Sequence, residues 1–243
     1  MKIADKHIVI TGGTSGIGNE LVRQLYDSNE ISVIARPSSR LERLRRDFNS
    51  ATVFEADLAD ATAVQNAADR LVKSGRPVDI LINNAAVQNT PHFPDDDFRF
   101  ETIKREIDVN FTSICMLIYL LLPSLIGKRQ SIILNVNSGL ALVPKTSSAV
   151  YCGTKAALDI FSQSLRYQLE GTNIDVKQVF LPLVDTAMTK GRGSGKMSPE
   201  QAASEIVKAL SASNAVVDIG KVKLLRFIQR LSPGIAARIM KAG

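Results

Sequence analysis

Seven short runs rich in β-branched residues, 7–10, 31–35, 52–55, 79–82, 131–136, 174–180 and 215–218, alternate with segments of helical length and periodicity. A strand followed by a helix and another strand requires a crossover. This order therefore predicts a parallel sheet with right-handed connections, covered by helices on both faces. The expected fold class is α/β, a doubly wound sheet of about seven strands. Ligands in such sheets sit at the carboxyl ends of the strands. The 243 residues, 45% hydrophobic and 22% charged, suffice for one substantial core, and no repeat, low-complexity tract or linker divides them, so a single domain over 1–243 is expected.

Several function classes fit poorly. The net charge of +6 is spread along the chain and only 5% of residues are aromatic, so a nucleic-acid stacking surface is not expected. Cys115 and Cys152 have neither metal-ligand spacing nor the numbers of a disulfide framework. They point to reduced thiols in a cytoplasmic compartment and to no metal site. Residues 1–6 do not resemble a signal peptide, and the apolar stretch 114–126, interrupted by Pro123 and Ser124, falls short of the roughly 18 residues of a membrane span.

The first strand leads directly into Thr11-Gly12-Gly13-Thr14-Ser15-Gly16-Ile17-Gly18, with a helix expected from near Ile17. Glycines here permit a tight turn and close backbone approach, and a helix amino terminus offers free N–H groups to a pyrophosphate. Gly12, Thr14, Ser15, Gly16, Ile17 and Gly18 are therefore candidate nucleotide-binding residues, the alternative being a purely structural turn. At the end of the second strand, where an acidic residue would hold an unphosphorylated ribose, the chain has Ala35 and then Arg36. An arginine complements a 2′-phosphate, so the expected cofactor is NADP(H), with Ser38, Ser39 and Arg40 close by in sequence.

Tyr151 and Lys155 lie four residues apart, on one face of a helix, as a possible acid/base pair. A nearby ammonium is expected to lower the phenol's pKa. Alone, this spacing also describes many solvated helix faces. Ser138 precedes Tyr151 by thirteen positions, the spacing expected of a serine at a strand end facing the first turn of the next helix. A serine hydrolase is the competing chemistry, but no Gly-x-Ser-x-Gly elbow surrounds Ser138, and the only histidines are His7, which opens the first strand, and His92. Asn110 interrupts a long helical pattern over 98–126, an unfavourable helix-interior residue.

The Thr-Gly-x-x-x-Gly-x-Gly spacing, Asn83-Asn84-Ala85-Ala86, Asn110, Ser138, Tyr151-x-x-x-Lys155 and the 181–186 segment, in this order over residues 8–218, resemble the single-domain short-chain dehydrogenase/reductases. Within that family, Ser-Gly-Leu-Ala from 138, Tyr-Cys-x-Thr-Lys-Ala-Ala-Leu from 151 and Pro-x-Val-Asp-Thr from 182 are similar to the DltE-like bacterial branch. The resemblance implies a three-layer Rossmann fold and hydride transfer between a nicotinamide and a carbonyl or secondary alcohol. It assigns Tyr151 as acid/base, Lys155 to lowering the tyrosine pKa and holding the ribose, Ser138 to orienting the reacting oxygen, and Asn110 to a proton relay. Asp57 and Leu58 would meet the adenine, Asn84 and Ala85 would line the cofactor, and Pro182, Val184 and Thr186 would hold the carboxamide. Ala86 and Leu183 replace the family's usual glycines.

Residues 187–197, with three glycines, suit a substrate lid or a plain loop. The tail, 221–243, is basic and amphipathic; packing is favoured over contact with a membrane surface. With Leu140, Leu142, Leu183 and Met188 near the motifs, the substrate is expected to be a hydrophobic small molecule. The family resemblance implies a homodimer or homotetramer. The different-class alternative is a regulatory protein that senses NADP(H) without turnover, although sensing does not need Ser138 and Tyr151 together. Sugar-nucleotide epimerases share the tyrosine and lysine but usually have a larger carboxyl-terminal region.

Overall fold

The computed structural model describes residues 3–127 and 130–241. Seven parallel strands, β1 (His7–Thr11), β2 (Glu30–Ala35), β3 (Thr52–Glu55), β4 (Ile80–Asn83), β5 (Ser131–Ser138), β6 (Ile174–Leu181) and β7 (Val216–Asp218), form one sheet in the order β3-β2-β1-β4-β5-β6-β7. The winding reverses between β1 and β4, which opens a crevice at their carboxyl ends. The two-residue period of the strands sends alternate side chains into two cores. Ile8 and Ile10 of β1 pack with Leu21, Val22 and Leu25 of α1 (Gly16–Leu25), Leu41 and Leu44 of α2 (Ser39–Asp47), and Ala202, Ala203 and Ile206 of α7 (Pro199–Leu210). Val9 points to the other face, among Val64 and Leu71 of α3 (Ala61–Lys73), Leu117 and Leu121 of α5 (Ser113–Leu125) and Leu158 of α6 (Ala149–Gln168).

The helical pattern expected over 98–126 begins as α4 (Glu101–Ile107), widens into a π-helical turn at Asp108–Thr112 and continues as α5. This 25-residue run is apolar and long enough to cross a membrane by length and composition, more than the interrupted stretch 114–126 suggested. Its Val109, Ile114, Leu117, Ile118, Leu121 and Leu125 nevertheless form the core beneath the sheet. Pro123 does not break it, because the helix ends two residues later.

The tail forms two helices, α8 (Val222–Leu231) and α9 (Pro233–Lys241), with Ala242 and Gly243 outside the described residues. Arg226 anchors it with paired bonds of 2.6 and 2.8 Å to Asp218 and lies over the Phe180 ring. Gln229 donates to the Leu142 carbonyl, and Val222 is buried. Each fully buried aliphatic side chain contributes roughly 1.5–3 kcal/mol.

Candidate active site

A cavity of about 1470 Å³ runs along the carboxyl ends of the strands, from Arg36 at the end of β2 to the tail helices. Thr11 builds its floor: its hydroxyl accepts from the Asn84 and Ala85 amides, 3.0 Å each, while the Asn84 side chain donates to the Thr11 carbonyl at 3.0 Å. These bonds hold the end of β4 against the glycine turn. At Gly12 φ is +71°, and a Cβ would stand 3.0 Å from Ala85. A Cβ on Gly18 would lie 2.2 Å from the Gly12 carbonyl oxygen and 2.6 Å from the Asn84 amide nitrogen. Without side chains at these two positions, the turn can close against the end of β4 and the start of α1 packs on the Gly12 carbonyl. The helix itself begins at Gly16, with extended Ser15 before it and no side chain capping its first N–H groups. Those unfilled donors, with their partial positive charge, suit a pyrophosphate, and the cavity accommodates a dinucleotide.

Arg36 is exposed at the cavity rim, with Ser39 and Arg40 beside it. Ser38 lines the same rim and also caps α2 by accepting from the Leu41 amide at 3.2 Å. Asp57 accepts from the Ala59 amide at 3.0 Å and pairs with Arg105 at 3.1 Å. Burial of the Asp57 carboxyl works against its charged form, but these bonds and the Arg105 and Arg36 charges prevail and hold it below its usual range. The cap of α3 is Asp60, which accepts from Thr62 and Ala63. Arg105 itself lines the cavity near the rim and had no signal in the sequence.

At the middle of the cavity the structure brings Ser138, Tyr151 and Lys155 together and places Asn110 behind them. β5 runs two residues beyond its expected end, so Ser138 still pairs with Leu181 of β6 and is held by the sheet. Its hydroxyl accepts from the Leu140 amide at 3.2 Å and lies near enough to the Tyr151 phenol to favour its ionised form. Tyr151 lies in the first turn of α6, whose preceding residue, Ser148, is buried with φ +62°. A non-glycine residue in that region carries strain, here located where the helix is aimed into the site. Asn110, fully buried in the π-helical turn, accepts from the Val87 amide at 2.8 Å and donates to the Val87 carbonyl at 2.9 Å and to Thr154 at 3.2 Å. It thereby ties the loop after β4 to α6. Asn137, overlooked in the sequence, donates to the Lys155 carbonyl and to Gln178.

The expected lowering of the phenol's pKa by Lys155 is absent. Lys155 Nζ sits 5.7 Å from the Tyr151 ring centre and donates to the Val136 carbonyl at 2.9 Å. Burial pushes the phenol up to about 12, against the opposing effects of Ser138 and Arg192. Burial likewise lowers the Lys155 ammonium to about 8. Desolvation is the largest cause of both shifts. A linkage follows for Lys155. Between about pH 8 and the ordinary lysine value of about 10.4, the folded protein has released a proton that the unfolded chain retains. Stability therefore gains from this residue as pH rises through that window. In thermal unfolding, the wild type should lose ground to Lys155→Met below about pH 8 and recover it toward pH 10. A difference independent of pH would refute the buried ammonium.

The remaining expected residues line the same cavity: Thr14, Ile17, Leu58, Ala85, Pro182, Val184 and Thr186. Ala86 has no positive φ, so the loss of glycine there is harmless. Leu183 is partly exposed and fits because Gly193, which faces it, has no side chain. Residues 187–197 are more fastened than a plain loop. Met197 bridges the backbone of Leu183 and Asp185, Thr189 bonds the Val184 carbonyl at 2.5 Å, and Arg192 reaches Gln88 across the cleft at 3.0 Å. Lys145 and Arg192 were also missed; both line the cavity, and their neighbours come from segments distant in sequence. His7 lies at the opposite end of β1, bonded to Ser32 and the Pro77 carbonyl, which removes it from any triad with Ser138.

The strand order, the glycine turn at its reversal point and the bare helix terminus define a Rossmann-type protein whose nucleotide crevice adjoins a serine–tyrosine–lysine group. The sequence model of the short chain dehydrogenase family matches residues 6–196, and the chain belongs to that family. The uncharacterized oxidoreductase DltE of Bacillus subtilis is 32% identical, with 78% of this chain and 76% of DltE aligned. A fatty acyl-CoA reductase of Acinetobacter baylyi is 28% identical over 99% of this chain and 85% of its own. Among solved structures, a short chain dehydrogenase from Burkholderia cenocepacia in complex with NADP superposes with a TM-score of 0.88 at 23% identity, covering 99% of this chain and 100% of its own.

Proposed function

We propose that the protein is an NADP(H)-dependent oxidoreductase acting between a carbonyl and a secondary alcohol of a hydrophobic small molecule. The observation that carries this reading is that Ser138, Tyr151 and Lys155 line one cavity with the glycine turn and Arg36. Gly12, Thr14, Ser15, Gly16, Ile17 and Gly18 would hold the pyrophosphate, Arg36 the 2′-phosphate, Asp57 and Leu58 the adenine, and Asn84 and Ala85 the nearby ribose region. Pro182, Val184 and Thr186 would hold the carboxamide, and Lys155 the nicotinamide ribose. NADPH, when bound, supplies the hydride that reaches the carbonyl carbon.

Ser138 fixes the carbonyl oxygen by donating its hydroxyl proton as a hydrogen bond, and Tyr151 gives its own proton to that oxygen. A phenol held near 12 is protonated at neutral pH, the state that reduction needs. Asn110 positions α6 through Thr154 and the loop through Val87, and is assigned to the route by which the proton is replaced. Residues 187–197 act as a lid held by the Arg192–Gln88 bond.

Leu140, Leu183, Met188, Leu225 and Ile228 line the end beside Ser138 and support an apolar substrate, as does the name of the Acinetobacter relative. The free thiols of Cys115 and Cys152 suit the cytoplasm. Exposed Tyr119 on α5 and Ile160 and Tyr167 on α6 support a homodimer or homotetramer, which a monomeric mass in light scattering would contradict.

Fluorescence titration should show NADP(H) binding at least tenfold more tightly than NAD(H), on the order of one charge-assisted phosphate contact, and Arg36→Asp should invert that order. Equal or tighter NAD(H) binding by the wild type would remove the cofactor assignment. Absorbance assays of NADPH oxidation across a panel of ketones and aldehydes test the chemistry. Activity on any of them excludes pure sensing, and silence across the panel with intact NADPH binding favours it.

A further inference from the structure

The tail's two faces differ. Its inner face is committed: Val222 and Ala236 are buried, and a Cβ on Gly139 would lie 3.3–3.4 Å from Val222 and Leu225. Its outer face is apolar and uncovered. On α8, Leu224, Phe227 and Leu231 recur at helical spacing and are 61%, 60% and 71% exposed; on α9, Ile235 and Ile239 are 52% and 50% exposed. Leu224 and Ile239 also line the cavity, so the stripes of the two helices meet at its mouth. The packing expected of the tail thus accounts for only half of its apolar residues. Contiguous exposed apolar surface of this kind marks a contact with another phase or molecule.

The charges around the stripe identify the occupant. Lys221, Lys223, Arg230, Arg238 and Lys241 are all exposed, and residues 219–241 contain no aspartate or glutamate. The nearest acid in sequence, Asp218, is already paired with Arg226. A second copy meeting this face about a two-fold axis would set these cations against their own equivalents, because such an interface presents the same patch twice. An anionic lipid surface complements them and accepts the apolar side chains between them.

We propose that α8 and α9 dock the protein on an anionic bilayer, with Phe227, Leu231 and Ile235 entering the headgroup region and the cavity mouth turned toward the lipid. On the functional reading above, an apolar substrate would then pass from the bilayer between Leu224 and Ile239 to Ser138 and Tyr151. The docking itself does not depend on that reading.

Flotation of the full chain with phosphatidylcholine vesicles, with and without about 30% phosphatidylglycerol, tests it. The protein should float with the anionic vesicles, remain behind with the neutral ones, and be released as salt rises toward about 0.5 M. Phe227→Ser/Leu231→Ser and Lys223→Glu/Arg230→Glu, none of which lines the cavity, should each lower the bound fraction about tenfold. Unfolding temperature should remain near the wild-type value, since these side chains are already exposed. Wild type that fails to float with anionic vesicles overturns the proposal, as does a serine double variant that floats as well as wild type. If the serine variant instead halves the mass in lipid-free light scattering, the stripe belongs to a second copy and the proposal is also overturned. Flotation needs no turnover, so a silent carbonyl panel would leave the docking result standing.

Discussion

Tyr151→Phe is expected to lower turnover by about 10²–10⁴-fold, the usual contribution of a positioned acid, while NADPH affinity stays within about twofold of wild type. The substitution removes one oxygen and keeps the ring, so the packing of α6 is preserved. What disappears is the phenol hydroxyl beside Ser138, the group proposed to give its proton to the carbonyl oxygen. Nucleotide affinity should survive because it originates largely at the glycine turn and at Arg36, in other parts of the same cavity. Steady-state rates on whichever carbonyl the panel identifies, together with NADPH fluorescence titration, separate the two quantities. Undiminished turnover would refute the acid assignment. Loss of both turnover and binding would show instead that the phenol supports the nucleotide crevice.

Gly18→Ala should damage the other part of the site. The added methyl would stand 2.2 Å from the Gly12 carbonyl oxygen and 2.6 Å from the Asn84 nitrogen, far inside contact distance. Neither neighbour is free to retreat, since Asn84 holds the Thr11 carbonyl and Gly12 bonds β2 through its amide. Relief therefore requires the turn to move away from β4, which opens the floor of the cavity. Overpacking of this kind costs about 1–3 kcal/mol, so the thermal midpoint should fall and NADPH affinity should drop roughly tenfold to a hundredfold. Gly153→Ala is the control: its Cβ would meet nothing within 4 Å on an exposed part of α6, and the change should be neutral or stabilising by up to about 1 kcal/mol. Unaltered NADPH binding by Gly18→Ala would show that the turn does not cradle the nucleotide.

Most of the fold was legible because its signals are local. The β-branched runs mark strands within one or two residues of their ends, as with β1, β2 and β3, and their alternation with helices leaves few arrangements other than a parallel sheet. The boundaries were less legible where partners decide them. β5 continues to Ser138 because β6 runs alongside it to Leu181, and the long helix widens at Asp108–Thr112, where Asn110 bonds the loop after β4. The candidate site was legible as a spacing of residue types, Ser138, Tyr151 and Lys155 in order. Asn137, Arg105, Lys145 and Arg192 were not legible, because each acquires its neighbours from segments distant in sequence.

By itself, then, the sequence determined the order of elements, the glycine turn and the candidate site side chains, since these depend on backbone preference and on spacing among near neighbours. The tertiary structure alone decided the chemical state of those side chains. Burial among strands and helices, not the interval between Tyr151 and Lys155, raises the phenol and lowers the ammonium, because the cost of desolvation depends on everything packed around a group. It also decided the division of the tail, whose amphipathic pattern is continuous in sequence. Only contact with Gly139, Leu142 and Asp218 determines which apolar residues are covered and which remain at the surface.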